Sequence, residues 1–415
     1  MNTALLQARE VGGLHPQYQR TWYQNHRLRA LDLLVDRQIL HGQLPSTEFT
    51  HDSDEHALSV TMPRSSWVAS LALERIDQRY LLCGSGNGSV QLYDLREEDV
   101  AADTETTVEK PVTPIGEIPR QLAHTYTVSD IHWYPFDTGL FTTTSYDQTL
   151  KVWDTNSLQC ASTFALGHRI FSHAVSSIAS HCLIAANTAD SFVRLCDLKS
   201  GSFTHSLAGH RSQVICAAWS PRDEFLLCTG GADGTARLWD IRRAKSCLVS
   251  LDWHNYGTSD LLANTNVAHN ASINGLAFTH DGHRLASLGA DRKMRLWDVQ
   301  SGRHLLVNYG SKLPCTARRK YDLVIPPLTD CWPPLVFIPF SKTCEVGCWD
   351  LYSGEFVKTL KGPFRPVICA AWRQGREELY AGGYDQEILA WAPEDRVAKT
   401  VAQIKAQEDN WSDSD

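Results

Sequence analysis

No run of apolar residues approaches the roughly 20 that a helix needs to cross a bilayer, so no membrane partner is expected. The N-terminus, MNTALLQAREVGG, lacks a basic stretch followed by an apolar core, and no secretory signal is read from it. The twelve cysteines form neither a CxxC pair nor a Cys/His cluster. Most, such as Cys216, Cys228 and Cys369, sit inside apolar strand patterns and read as reduced, buried small hydrophobes. Lys and Arg number 39 against 47 Asp and Glu, a net charge of −8, which argues against direct DNA binding. There is no phosphate-cradling glycine loop and no Gly-x-Ser-x-Gly elbow. Cofactors, metals and catalysis are therefore not expected.

What is present is repetition. From Gly209-His210 to Trp239-Asp240 an apolar run (Val214 to Trp219) is broken by Ser220-Pro221. A second run (Phe225 to Thr229) and a tight turn (Ala232-Asp233-Gly234) follow, and a third run closes on Trp-Asp. Seven such units end at Tyr93-Asp94, Trp153-Asp154, Cys196-Asp197, Trp239-Asp240, Trp297-Asp298, Trp349-Asp350 and Trp391-Ala392. The period and the closing dipeptide resemble WD40 repeats, which implies an all-β, seven-bladed propeller. His210, Thr229, Asp233 and Trp239, and again His269, Ser287, Asp291 and Trp297, stand where that family places a hydrogen-bonded tetrad. A Ser/Thr-His-Asp set invites comparison with a catalytic triad, but recurrence once per unit marks a structural device. The turn carboxylate returns as Asp147, Asp190 and Asp385, and is missing from the sixth unit.

Residues 1–27 do not fit the repeat. Thr3 can cap a helix carrying Leu5, Leu6 and Arg9, Gly12-Gly13 ends it, and Pro16 suits the start of a second. This helix-loop-helix is expected outside the ring. Residues 28–35, LRALDLLV, read as the closing outer strand of the last blade, so that the propeller proper runs from 28 to 392. His41 to Ser65 and Glu97 to Arg120 read as polar, acidic surface loops. Residues 393–415 form an acidic flexible tail ending NWSDSD.

Two features narrow the function. Trp239-Asp240-Ile241-Arg242 places a guanidinium two residues beyond the closing Asp, where it can contact a partner carboxylate or backbone; Arg96 is its weaker counterpart. The motif and several longer runs resemble the Cockayne syndrome A family of WD40 substrate receptors. These runs are Trp133 to Phe141 (WYPFDTGLF), Thr149 to Asn156 (TLKVWDTN), Leu195 to Gly201, Leu306 to Gly310, Glu378 to Tyr380 and Ile388 to Trp391. The resemblance covers nearly the whole chain from about residue 60. It implies a nuclear, non-catalytic substrate receptor of a cullin-4 RING ubiquitin ligase acting in transcription-coupled nucleotide excision repair. Leu5, Leu6, Arg9, Arg96 and Arg242 would then meet the damaged-DNA-binding adaptor, with cullin-4 and the RING subunit reached indirectly. The Cockayne syndrome B translocase and the stalled RNA polymerase II complex are the implied partners on the substrate side. The residues preceding each turn Asp should lie on one rim, and among them Tyr146 and Tyr384 are the aromatic anchors for a partner. A scaffold propeller of another nuclear complex, without a ligase link, shares all seven units and is the alternative.

Overall fold

The computed structural model describes residues 33–40, 67–95, 114–254 and 266–393, apart from 179, 244–246, 312, 314–318, 332–333, 341–343, 363–364 and 385–386. The helix-loop-helix expected at 1–27, the loop expected over His41 to Ser65 and the tail from 394 onwards lie outside the described residues. Seven antiparallel sheets follow one another along the chain, and each packs its faces against its two neighbours. Short β-branched and aromatic runs of four to eight residues supply the strands, and the near-complete burial of the second strands reflects this sandwiching. The second strand of blade four, Leu226–Gly231, is buried along nearly its whole length. Its neighbour two strands further out in blade three, Ser202–Ala208, is mostly exposed.

The core is accordingly divided into inter-blade layers. One cluster joins Ala174, Val193 and Leu195 of blade three to Val214, Trp219 and Trp239 of blade four. Another joins Val68, Leu81 and Tyr93 of blade one to Cys369, Tyr380 and Ile388 of blade seven, which closes the ring. Removing a fully buried indole such as Trp239 from such a layer re-exposes 150–250 Å², about 4–6 kcal/mol at 25 cal/mol per Å². Inner-strand tryptophans also bond across layers: Trp133 Nε1 donates to Ala72 O at 3.0 Å and Trp219 Nε1 to Ala174 O at 3.1 Å.

The closing strand is Leu33–Leu40, five residues beyond the start expected at residue 28. It pairs with Glu387–Pro393 from Leu33↔Pro393 to Leu40↔Glu387, with a bulge between Val35 and Arg37. Pairing along the full partner strand sets the register and carries it past the apolar stretch that suggested 28–35. Part of the stretch expected as a loop, Glu97 to Arg120, is instead the outer strand of blade one: Pro114–Ile118 pairs with Val90–Asp94, and Ile118 is buried. Blade six keeps three regular strands, Leu335–Pro339, Glu345–Asp350 and Phe356–Lys361. Its innermost position is filled by a segment at Tyr321 to Ile325, joined through reciprocal backbone bonds between Val324 and Phe337. In blade five the outer position is reduced to a bridge, Trp297↔His304.

Candidate functional site

The tetrads form. In blade four His210 Nε2 lies 2.7 Å from Thr229 Oγ1, and Trp239 Nε1 donates to the same hydroxyl at 2.7 Å. In blade five His269 Nε2 lies 2.8 Å from Ser287 Oγ, Trp297 Nε1 donates to Ser287 at 2.9 Å, and His269 Nδ1 is 3.0 Å from Asp291. A hydroxyl that accepts from the indole has its own proton free for imidazole Nε2, which leaves Nδ1–H for the turn carboxylate. Blade two holds a third complete set: His124 with Thr143 at 2.8 Å, Asp147 at 2.8 Å, and Trp153 donating to Thr143 at 2.8 Å. Its spacing from His to hydroxyl and to Asp, 19 and 23 residues, is that of blade four. Ala123 precedes His124 as Ala268 precedes His269, so the sequence carried the same signal for this set. Burial alone would raise the Asp147 carboxyl, but the His124 bond and charge outweigh it and bring it to about 2. Asp233 and Asp291 are held low in the same way, while burial lowers His269. These groups bond to one another between the strands and turn of one sheet.

Arg242 does stand beyond the closing Asp240, but its guanidinium turns back. Nε and Nη2 donate to Asp240 Oδ1 and Oδ2, both at 2.9 Å, and the group stacks 4.6 Å over the Phe225 ring. The side chain remains 55% exposed, so a partner can reach its outer edge in a fixed orientation. Asp94 and Asp298 are paired in comparable fashion by Arg79, just before the second strand of its blade, and Arg284, the first residue of the second strand of its own. Leu5, Leu6, Arg9 and Arg96 lie outside the described residues.

The six residues read as rim positions share one geometry. Gly86, Tyr146, Ala189, Ala232, Ala290 and Tyr384 each donate their backbone N–H to the residue just before the innermost strand of the same blade. The acceptors are the carbonyls of Trp67, Thr127, Arg169, Gln213, Ser272 and Pro366, at 2.8 to 3.3 Å. This bond draws every turn to the mouth of the central channel. Tyr146 packs edge-on against Phe171 at 6.2 Å, and Tyr384, 43% exposed, lies 5.9 Å from Trp67. Burial pushes the Tyr146 phenol up, and the shared turn bond sets the two tyrosines at the same position of blades seven and two.

Deeper in the channel lies a cluster with no counterpart in the sequence reading. Asp130, His132 and His173 bring ligand atoms within 4.8 Å of one another. Lys320 Nζ, reaching from blade six, sits 2.7 Å from Asp130 Oδ2 and 3.4 Å from Asp322. The ammonium supplies the cation that a metal would bring, and both His173 nitrogens face hydroxyls, Thr142 at 2.8 Å and Thr144 at 3.1 Å. Burial alone would raise the Asp130 carboxyl, yet Lys320, His132 and His173 hold it far below the usual carboxylate range. The arrangement is an ionic staple across the channel.

Comparison with known proteins follows the tetrads. The family described as WD domain, G-beta repeat matches residues 116–154, 201–240 and 262–298, which are the three tetrad blades. The chain is 33% identical to the WD repeat-containing protein ATCSA-1 of Arabidopsis thaliana, over 85% of this chain and 91% of the relative. It is 26% identical to the radiation-sensitive protein 28 of Saccharomyces cerevisiae, over 42% of this chain and 38% of that one. The ribosome biogenesis protein YTM1 of Phaeosphaeria nodorum is 26% identical over 52% of this chain and 50% of its own.

Proposed function

This chain belongs to the CSA-like family of WD-repeat proteins, and we propose that it is the substrate-recognition subunit of a cullin-4 RING ubiquitin ligase in transcription-coupled nucleotide excision repair. Its fold is that of a protein-interaction scaffold. The observation that carries the reading is similarity to a CSA relative across 85% of the chain, whereas the ribosome-biogenesis relatives are matched over only about half of it. In this reading the protein is nuclear and transfers nothing itself. It holds a substrate lysine close to the ubiquitin-charged enzyme and raises its effective concentration.

The two faces divide the work. Residues 1–27, with Arg242 and Arg96, serve the damaged-DNA-binding adaptor, through which cullin-4 and the RING subunit are held. The channel mouth, with Tyr146 and Tyr384, serves the Cockayne syndrome B translocase at the stalled polymerase. The pre-aligned Arg242 guanidinium supports the first assignment, and the shared placement of the two tyrosines supports the second. The test is affinity purification of the full chain and of a 1–27 deletion from nuclear extract. Adaptor and cullin-4 should accompany the full chain and be lost from the deletion. Their absence from both would leave the scaffold of another nuclear complex as the reading. On the other face, Tyr146→Ala with Tyr384→Ala should weaken translocase binding by a folded protein, and unchanged affinity would remove the tyrosines from that role.

A further inference from the structure

The channel mouth has an electrical asymmetry that the tyrosines alone do not explain. In blade six the innermost segment bonds through Val324 to Phe337, the residue after the partner of the closing Trp349. In blade four the corresponding pair is Ala218 and Cys228, next to the partner of Trp239. Gln213, whose carbonyl holds the turn at the mouth, is five residues before Ala218. Five residues before Val324 is Arg319, which therefore takes the mouth position of blade six. Lys320 beside it points into the channel toward Asp130, and Tyr321 N–H donates to Asn274 O on the inner strand of blade five.

The guanidinium of Arg319 stacks 5.3 Å over the Tyr321 ring. Its Nε and one Nη are buried, with no acceptor among the described residues. Two desolvated donors on a cation, left without an acceptor, cost free energy unless a ligand supplies one. Arg169, at the mouth position of blade three, is exposed and makes no ion pair among the described residues. Both arginines favour the ionised Tyr146 phenol, against the burial that pushes it up. Among the described residues the mouth carboxylates, by contrast, are engaged: Asp147 with His124, Asp190 with Arg194, Asp233 with His210 and Asp291 with His269 and Arg295. Going round the ring, blades six, seven, one, two and three present Arg319, Tyr384, Trp67, Tyr146 and Arg169. Blades four and five present Gln213, Ala232, Ser272 and Ala290.

We propose that this sector is a docking site for an acidic peptide segment of a partner protein. Its carboxylates pair with Arg319 and Arg169, and an apolar side chain rests on the Trp67–Tyr384 pair. A guanidinium with two in-plane donors suits a carboxylate in bidentate contact. Two cations set among aromatics, on a chain of net charge −8, fit a short acidic segment better than a nucleic-acid backbone, which needs a track of positive charge. The proposal rests on the mouth being the partner face, and not on any ligase link.

The test uses fluorescein-labelled hexaglutamate and the full chain, with binding read by anisotropy. Wild type should bind saturably, more weakly as salt rises, and a hexalysine probe should not bind. Arg319→Gln should raise Kd at least tenfold and Arg169→Gln by less. Arg292→Gln, an exposed turn residue of blade five, should leave it unchanged. If Arg319→Gln melts early, Arg169→Gln alone must still weaken binding. Absence of hexaglutamate binding, equal loss in Arg292→Gln, or competition by duplex DNA as effective as by free hexaglutamate overturns the proposal. If Tyr146→Ala with Tyr384→Ala keeps the translocase while hexaglutamate still depends on Arg319, the translocase assignment fails and this one stands.

Discussion

Replacing Lys320 by Met keeps the aliphatic stem but removes the ammonium that spans the channel. Asp130, its side chain 3% exposed, then loses a partner at 2.7 Å. The groups still facing it are the backbone N–H of Ile131 at 3.1 Å and of His173 at 3.2 Å, His132 at 3.4 Å, the His173 ring at 4.0 Å, the Ser70 hydroxyl at 3.5 Å and Asp322 across the channel. Burial and repulsion from Lys320 and His132 drive His173 well below the ordinary histidine range, so it offers no cation. Breaking a buried pair from one side typically costs about 3–5 kcal/mol. The pH dependence carries the sharper test. In the native protein the folded Asp130 carboxyl lies below its unfolded value, so its stabilisation is present above that unfolded value and lost as pH falls through the lower folded one. In the variant burial dominates and the folded carboxyl rises above the unfolded value. Its contribution is then complete only below the unfolded value and is lost as pH rises from that value to the folded one, by about 1.4 kcal/mol per unit over that interval. The deficit of the variant should therefore grow between about pH 5 and pH 8, as read from urea midpoints by tryptophan fluorescence. Asp130→Asn combined with Lys320→Met, which removes both charges, should recover most of it. A variant within about 1 kcal/mol of wild type at pH 8, or a deficit larger at pH 5, would refute the staple.

Three further outcomes follow from the same geometry. The Asp147 carboxyl, lowered from 3.8 to about 2, contributes roughly 2.4 kcal/mol above its unfolded value, lost as pH falls through about 2; Asp147→Asn should flatten that acid limb in denaturation curves. Gly234 has φ +75°, and a Cβ there would lie 2.3 Å from His269 O of the next blade, so Gly234→Ala should cost more than the roughly 1 kcal/mol of a left-handed alanine, visible as a lower melting temperature. Arg242→Ala should weaken adaptor binding on the order of tenfold, measured by surface plasmon resonance, with little change in melting temperature because Arg243 remains 3.3 Å from Asp240.

The sequence announces a structural residue most clearly where a repeat preserves both spacing and neighbours. Blades four and five were legible because the His, the turn Asp and the closing Trp all survive, with Ala268 in place of the glycine in blade five. Blade two carries the same bonds at the spacing of blade four, and Ala123 precedes its histidine as Ala268 does in blade five, so its tetrad was equally open to reading. The outer strand of blade one escaped notice because outer strands face solvent: Pro114–Ile118 buries only its last residue, so no apolar alternation marks it. The innermost segment of blade six was unreadable for the opposite reason. Lys320 and Asp322 interrupt its apolar pattern, and their partner Asp130 is 190 residues away in sequence from Lys320. Tyr146 and Tyr384 could be placed because the turn position recurs. Arg319 could not, since its blade has no turn Asp from which to count.

The tetrads and the docking chemistry are distributed unequally, and the inequality has a physical basis. A tetrad commits the hydroxyl, imidazole and turn carboxylate of a blade to one another, which stiffens the sheet and leaves little for a partner to use. Blades four and five are built so, and their mouth positions are small or neutral. Blades one, six and seven hold their third strands by other means: Tyr93 donates to Gln91 at 2.7 Å, Trp391 donates to Lys361 O at 3.3 Å, and the buried Trp349 indole has no acceptor among the described residues. Arg373 bonds Gln78 O of blade one at 2.6 Å and Glu378 at 2.9 Å, so the seam at which the ring closes is cross-linked below the mouth. With the seam secured there, the turn and pre-strand positions of blades six, seven and one are released from structural duty, and they are where Arg319, Tyr384 and Trp67 stand. Blade two, which combines a full tetrad with Tyr146, anchors that sector to the stiff half of the ring, and a ligand at the mouth therefore meets a preorganised surface rather than a loose one.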